Sequence, residues 1–384
     1  MSTRSNSSAS RPNENVLTLV DRIIRRIKVH KTCEGFTDAQ LYYVLDEAHR
    51  VLEPLPAMID IEPPVIIFGD VHGQLNDLLR FADIVGEPPG AQWLLLGDYI
   101  DRCKKGLEVI MLLLCLKIKH PTRVHMLRGN HECQKTNRIY GFYAEMKMKR
   151  CVPMWLRFNK LFNELPLCAA VSRRQLCMHG GISQSIQTWQ SLLDLKKPHS
   201  IAECDEGIAL DLLWADPTNE SCDFKFNQNR CTSVVFGDQA LKDICRKLGI
   251  SMVVRAHEAV AEGHSMQPSN RLCTLFSAPN YCGNDGNSAS VMHVSPAFKL
   301  SFTTLKPRLN ESAVAPEILQ KLKSYSEVKS PNQQPVRRYS VSEPSTKADA
   351  NNNNTGSNEA PPITFGSELS VVSPALSPAK EKKK

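Results

Sequence analysis

The chain has 384 residues, 42% of them hydrophobic, with 47 basic against 40 acidic side chains and a net charge of +7. That content supports a sizeable buried core, with room for one sandwich-type catalytic domain, and excludes a wholly disordered chain. A charge this mild, with no basic stripe interleaved with aromatics, argues against direct nucleic-acid binding.

Residues 1–14 are rich in Ser, Asn and Arg without periodicity and are expected to be disordered. Val16, Leu19, Val20, Ile23, Ile24 and Ile27 then share one helical face, and a second helix is predicted from Asp38 to Val51, giving an N-terminal helical layer. A strand over 65–68, a helix over 75–85, a strand over 93–96, a helix over 108–118 and a strand over 123–127 follow. This β-α-β-α-β order predicts a parallel sheet whose site lies beyond the strands' carboxyl ends. Short strands over 175–178, 252–255, 273–276, 290–293 and 300–304 predict a second, mixed sheet packed on the first. The catalytic domain is read as 15–308. After Pro307 the composition turns to Ser, Pro, Asn and Lys, and 309–384 is expected to be a flexible, disordered tail.

The strongest apolar run, 109–116, is broken by Lys117 and Lys119 and is too short to span a bilayer. Thirteen cysteines, an odd number, follow a polar N-terminus that lacks the apolar core of a signal peptide. Reduced thiols and a cytoplasmic or nuclear setting are therefore expected. No two cysteines have zinc-knuckle spacing, so any metal must use other ligands.

The early strands each end in a polar cluster: Gly69-Asp70-Val71-His72-Gly73, Gly97-Asp98-Tyr99-Ile100-Asp101-Arg102 and Arg128-Gly129-Asn130-His131-Glu132. One aspartate after a strand is ordinarily a cap or turn former. Three such loops on one sheet edge are a different matter, because carboxylate, imidazole and amide oxygen are the ligand types for manganese, iron or zinc. His179, in Met178-His179-Gly180-Gly181, and His257, in Arg255-Ala256-His257-Glu258, have a similar context and would complete a binuclear site. His30, His49, His120, His125, His199, His264 and His293 lack such loops and are read as surface or core residues. Cys133 has Arg138 one position too early for a Cys-x5-Arg phosphate loop, which argues against a thiolate nucleophile.

Leu127-Arg128-Gly129-Asn130-His131-Glu132, Asn137-Arg138-Ile139-Tyr140-Gly141-Phe142-Tyr143 and Ser277-Ala278-Pro279-Asn280-Tyr281-Cys282-Gly283 resemble signatures of the phosphoprotein phosphatase family of metallophosphoesterases, particularly its type-1 serine/threonine branch. The resemblance spans about residues 14 to 308. It implies an α/β metallophosphoesterase fold, a central two-sheet β-sandwich flanked by helices. It also implies two divalent metal ions, manganese with iron or zinc as alternatives. Asp70, His72 and bridging Asp98 would hold one, and Asp98, Asn130, His179 and His257 the other. Arg102 and Arg230 would bind the substrate phosphate, and Tyr140 and Tyr281 would line the cleft. The implied reaction is hydrolysis of phosphoserine and phosphothreonine on protein substrates, by in-line attack of a hydroxide bridging the metals. His131, kept charged by Asp101, would be the general acid for the basic leaving alkoxide.

Several positions depart from the family pattern. Cys103 and Cys231 stand where the family has glycine, each beside a phosphate-binding arginine; a backbone open only to glycine would cost a cysteine about 1 kcal/mol. That keeps a rival in view, a catalytically weak phosphatase-like scaffold or binding protein. The loop Gly283-Asn284-Asp285-Gly286-Asn287 differs from the type-1 pattern, and the acidic groove is thinned to Glu262, with Ala261 and Ser265. Regulatory or targeting subunits are implied, docking in a groove lined by Gln175, Met252, Met266, Asn270, Cys273 and Phe302. In the tail, Ser330-Pro331, Ser373-Pro374, Ser377-Pro378 and Arg337-Arg338-Tyr339-Ser340 resemble kinase sites.

Overall fold

The computed structural model describes residues 15–307, apart from Ser221 and Pro268, and the backbone of Thr364–Val372. The expectations for 1–14, for the rest of the tail and for its kinase sites lie outside the described residues.

Helix α1 (Val16–His30) starts where the Asn15 side chain accepts a hydrogen bond from Leu17 N at 2.8 Å. Helix α2 (Asp38–Leu52) starts on a capping box: Thr37 Oγ1 accepts from Gln40 N at 3.2 Å while Gln40 Oε1 accepts from Thr37 N at 3.0 Å. Strands β1 (Met58–Ile61) and β2 (Val65–Phe68), helix α3 (Leu75–Val85), strand β3 (Trp93–Leu95), helix α4 (Gly106–Lys119) and strand β4 (Val124–Met126) follow. Helix α4 is buried all round from Leu107 to Leu116, and α1 and α2 pack against it. The apolar run that raised a membrane question is thus the hub of the helical layer. Among the described residues no helix is long and apolar enough to cross a membrane.

Helices α5 (Gln134–Tyr140), α6 (Phe142–Lys149) and α7 (Val152–Phe162) lead to β5 (Cys168–Val171) and β6 (Gln175–Met178). Next come β7 (Asp216–Pro217), β8 (Phe224–Phe226) and β9 (Val234–Phe236), which form a small sheet of their own. The remaining strands are β10 (Met252–Arg255), β11 (His264–Met266), β12 (Leu272–Leu275), β13 (Ala289–Val294), β14 (Lys299–Leu305) and β15 (Thr364–Val372). One six-stranded sheet has the order β15-β14-β13-β2-β3-β4, and the other β1-β5-β6-β10-β12-β11. Ile67, Leu94, Val254, Cys273, Met292 and Phe302 belong to the core between them. Helical cores cover the two outer faces, so the layers run α-β-β-α as expected.

Strands β2, β3 and β4 pair in parallel, as the β-α-β-α-β pattern requires. The strands expected over 290–293 and 300–304 are present, but they extend the first sheet and not the second. Strand β13 pairs antiparallel with β2, Met292 opposite Ile67. Its alternation explains why: Val291 joins the helical core and Met292 the inter-sheet core, as Ile66 and Ile67 do on β2. Strands β1, β5 and β11 carried no clear sequence signal; β5 reads Cys-Ala-Ala-Val, too small and too short to stand out. The tail departs from expectation over nine residues, because β15 pairs parallel to β14.

Candidate active site

All the chemistry-bearing loops leave from strand carboxyl ends. Asp70 and His72 follow β2, Asp98 follows β3, Asn130 and His131 follow β4, His179 follows β6 and His257 follows β10. An isolated bridge between Asp70 and Phe276 ties the two sheets together at this point. The turns are sharp enough to force left-handed backbones on His72 (φ 44°), Asp98 (φ 53°), Asp101 (φ 68°), Arg102 (φ 67°) and His257 (φ 67°). Such conformations cost energy and persist where the surroundings over-determine them, often at functional sites.

The side chains converge. His72 Nε2 lies 3.6 Å from Asp70 Oδ2 and 3.4 Å from Asp98 Oδ2. Asp98 Oδ2 is also 3.4 Å from His179 Nε2, which lies 2.9 Å from Asn130 Oδ1 and 3.1 Å from His257 Nδ1. All six residues are buried. Two donor groups, His72-Asp98-His131 and Asp98-His179-His257, have ligand atoms within 4.8 Å of one another, and Asp98 belongs to both. Among the described histidines only these four enter such a group.

The charge balance suits cations. Burial, then Asp70 and Glu132, push the Asp98 carboxyl well above its usual range. Burial would also raise Asp70, but His72 and His179 outweigh it and hold Asp70 down. Burial pushes His179 down to about 3 and, with His179 and Arg230, His257 well below the usual imidazole range. Neutral imidazoles beside crowded carboxylates are the protonation states a metal needs. His257 Nε2 is buried without a hydrogen-bond partner, so its ring is held by Nδ1 and by packing on Trp214, 5.6 Å between ring centroids. The donor set therefore fits a pair of divalent cations.

His131 stands beside this pocket, its Nε2 3.8 Å from Asp98 Oδ2 and its Nδ1 2.6 Å from Asp101 Oδ2. Burial, then His72 and Arg102, push His131 well below the usual range, while burial pushes Asp101 up to about 7 against the Phe142 N–H that favours its ionised form. Both shifts disfavour the charged forms, and the two groups meet in a short hydrogen bond. A neutral Asp101 with a neutral His131 carries as many protons as an ion pair would.

Arg102 lies against the Tyr140 ring, its Cζ 4.2 Å from the centroid, and Tyr140 lies 5.4 Å from the His131 ring. Tyr281 lies 5.2 Å from the His72 ring on the other side. Arg230 is anchored by Asp216, Nε to Oδ2 at 2.8 Å, and reaches the His257 carbonyl at 3.3 Å. The candidate ligands, the His131-Asp101 pair, both arginines and both tyrosines are thus linked to one another by close contacts at one place in the fold. Two others had not stood out in the sequence. Glu132 is fully buried and accepts from Asp98 N at 2.8 Å, Tyr99 N at 2.9 Å and Gly129 N at 3.0 Å, clamping two ligand loops. Asp216 accepts from Arg255 at 2.7 Å as well as from Arg230, and its signal, a single aspartate before a proline, was too weak to see. Of the two cysteines at glycine positions, Cys231 has a left-handed backbone (φ 54°) and Cys103 does not. Cys133 is buried, and a hydrogen bond with Cys204 and burial push its thiol well up, the opposite of a nucleophile's requirement.

Residues 63–261 match the calcineurin-like phosphoesterase pattern, about half of the chain. The chain belongs to that family. This phosphoesterase is 45% identical over 295 residues, 77% of its length, to the Caenorhabditis elegans protein named serine/threonine-protein phosphatase C27B7.6. The match covers 65% of that relative, so the chain spans less than two thirds of its length. It is 42% identical over 261 residues to the serine/threonine-protein phosphatase PP1-delta of the same organism, 68% of this chain and 85% of that one. Among solved structures it resembles a Saccharomyces cerevisiae protein serine/threonine phosphatase with a TM-score of 0.70 at 28% identity, over 76% of this chain and 97% of that one. The resemblance drawn from the sequence motifs is borne out.

Proposed function

We propose that this chain is a metal-dependent serine/threonine protein phosphatase, hydrolysing phosphoserine and phosphothreonine monoesters on other proteins. The observation that carries it is the convergence of Asp70, His72, Asp98, Asn130, His179 and His257 from five loops, with the His131-Asp101 pair buried beside them. The metal ligands are Asp70, His72 and Asp98 for one ion and Asp98, Asn130, His179 and His257 for the other. Two divalent cations, manganese or an iron and zinc pair, supply acidified water and charge neutralisation at phosphorus when bound.

The protein's own groups do the rest. Arg102 and Arg230 hold the phosphoryl oxygens from two sides of the cleft and favour the charge that builds in the transition state. Anchoring by Tyr140 and Asp216 limits the freedom each arginine loses on binding. A serine or threonine alkoxide is too basic to leave unaided, and His131 Nε2 gives it a proton as Asp101 returns one to Nδ1. Tyr140 and Tyr281 line the cleft where the peptide enters. The exposed stretch of Ala261, Glu262 and Ser265 carries a single acidic side chain, which weakens any preference for basic peptides. Regulatory or targeting subunits fit the groove region, where Met252, Cys273 and Phe302 are buried and Met266 half-buried. A cytosolic or nuclear setting suits a chain with an odd number of cysteines.

The test is phosphate release from a phosphoserine peptide by the purified full chain with added manganese. Release that depends on the metal and falls at least about a hundredfold in His131→Ala supports the proposal. Release from nucleotides but not from the peptide makes it a different phosphoesterase. Binding of partner proteins without any metal-stimulated release leaves the scaffold reading in its place.

A further inference from the structure

Helix α1 carries a basic stripe that the helical layer does not use. Arg22, Arg25, Arg26 and His30 stand three and four residues apart, so they share one side of the helix, next to the apolar face that packs on α4. With the loop that follows the helix they line a cavity of about 420 Å³, whose other walls include Glu34 and Phe36. The base of this cavity is fixed. Phe36 is buried, Arg22 Cζ lies 5.5 Å from the centre of its ring, and Arg150 donates to the Phe36 and Cys33 carbonyls at 2.9 and 2.6 Å.

Like charges at this spacing repel one another and weaken a helix, so the stripe opposes folding. Neighbouring acids do not offset it. Asp21 pairs with Lys119 and Glu87 with Lys28, which leaves Glu34 as the one carboxylate in the lining. Among the described residues neither Arg25 nor Arg26 has an ion-pair or hydrogen-bond partner, and Arg26 Nε is buried without one. An unsatisfied buried N–H is unfavourable until an acceptor reaches it.

We propose that this cavity is a binding pocket for a phosphorylated serine or threonine side chain, sharing no residue with the catalytic cleft. Three guanidiniums against one carboxylate suit a ligand with more than one negative charge, and a phosphomonoester carries about two at neutral pH, with three acceptor oxygens. Planar guanidiniums fork onto such oxygens in pairs, and one carboxylate has too few oxygens to satisfy them all. From Arg22 to His30 the stripe rises roughly 12 Å, enough for one phosphorylated side chain and too short to follow a nucleic-acid backbone. The pocket stands on its own residues and not on the phosphatase reading, and it is tested where no turnover occurs.

The probe is a fluorescein-labelled peptide of residues 325–335 phosphorylated on Ser330, titrated by anisotropy against the full chain in chelator, so that it is not hydrolysed. Binding should weaken at least about tenfold in Arg25→Gln/Arg26→Gln, and the unphosphorylated peptide should bind neither protein. Arg25→Lys/Arg26→Lys keeps the charge without the forked geometry and should recover only part of the affinity. Full recovery would mean a diffuse positive field and overturns the pocket. So does equal binding of the phosphopeptide to wild type and to the glutamine variant, equal binding of the unphosphorylated peptide, or no binding at all. Inorganic phosphate should displace the probe only at concentrations at least about tenfold above those of unlabelled phosphopeptide; displacement at equal concentrations makes this a free-phosphate site and overturns the side-chain assignment. The substituted arginines have no described partners to lose, so thermal melts should match the wild type, and hydrolysis of p-nitrophenyl phosphate with manganese should stay within about twofold. Loss of hydrolysis together with binding would place the probe in the catalytic cleft and overturns a separate pocket. A wild type that hydrolyses nothing sinks the phosphatase reading instead, and the binding arms still decide the pocket.

Discussion

The carboxylate of Asp101 sits 2.6 Å from His131 Nδ1 and, through its other oxygen, accepts the Phe142 backbone N–H at 2.6 Å. The second bond fixes the carboxylate, so the proton between the pair can move with little reorganisation. Asp101 is pushed up to about 7 by burial, and the pair therefore holds its transferable proton below that pH and loses it above. Peptide hydrolysis should fall as pH rises past about 7, approaching tenfold per unit on the alkaline limb. Asp101→Asn removes the proton reservoir and leaves His131, which burial pushes well down. We expect a kcat loss of about a hundredfold or more and an alkaline limb displaced to lower pH. A pH–rate profile for both proteins checks this; an unmoved limb in the variant would take the acid role away from the pair.

Cation binding should couple to stability through Asp98. Burial, Asp70 and Glu132 all raise its pKa, so its ionised form costs energy unless a cation offsets it. In chelator, Asp98→Asn should match or exceed the wild type in Tm. With manganese at a hundred times its dissociation constant, only the wild type gains, by about 2.7 kcal/mol per site. Thermal melts with and without manganese decide it, and a variant stabilised as much as the wild type rules out Asp98 as a bridging ligand.

The fold and site were legible to different degrees for physical reasons. Strand-end clusters such as Gly69-Asp70-Val71-His72-Gly73 show in the sequence because a ligand and its glycine are neighbours in the chain. The helices α1 and α3 show because one face is apolar at helical spacing. Pairing partners do not show. Strand β13 could join either sheet on its pattern alone, and its place beside β2 follows from tertiary packing. Glu132 stood in a quoted motif, yet its task is to accept three backbone N–H groups across two loops, which no spacing encodes. Likewise β15 lay in a tract whose average composition hid nine residues with a different one.

Glu132→Gln measures that clamp. Glutamine keeps one carboxylate-like oxygen for Asp98 N and Gly129 N, and turns an amide N–H toward Tyr99 N, which loses its acceptor. One buried unsatisfied donor costs about 1–3 kcal/mol. The charge change works the other way, since burial raises Glu132 to about 7 from an ordinary 4.5 and the ionised form is costly. A carboxyl raised on folding contributes most below its ordinary pKa and loses that contribution as pH climbs through the raised one. The net loss on substitution should therefore be larger at pH 5 than at pH 8, where the wild type bears the cost of a buried charge that glutamine lacks. Denaturant melts at both pH values check the direction.

Gly97 and Gly129 meet where the β3 and β4 loops cross, and they allow Asp98 its place. A Cβ on Gly129 would fall 2.2 Å from Asp98 Oδ1 and 2.4 Å from Asp98 N, and one on Gly97 would fall 2.4 Å from Gly129 N. Backbone atoms cannot yield as a flexible side chain does. Gly129→Ala should cost about 1–3 kcal/mol from overpacking, and it should weaken manganese binding because Asp98 must move. Calorimetric titration of manganese reads the second effect; unchanged affinity would show that Asp98 does not need the contact.

Cys103 and Cys231 each follow one of the two arginines proposed to bind phosphate, and the structure separates them. Cys231 is left-handed at φ 54°, a region that costs a residue with a Cβ about 1–2 kcal/mol. Cys231→Gly relieves that strain while adding freedom to the unfolded chain, so a net gain of about 0.5 kcal/mol is expected. Cys103 has no such backbone, and Cys103→Gly should lose about 0.5–1 kcal/mol through the unfolded state alone. Arg230 is anchored by Asp216 whatever residue follows it, so KM for a phosphopeptide should stay within about twofold in Cys231→Gly. A large fall in KM would show instead that the cysteine displaces Arg230, and that the chain carries a weakened phosphate site. Denaturant melts and steady-state kinetics on the two variants separate these outcomes.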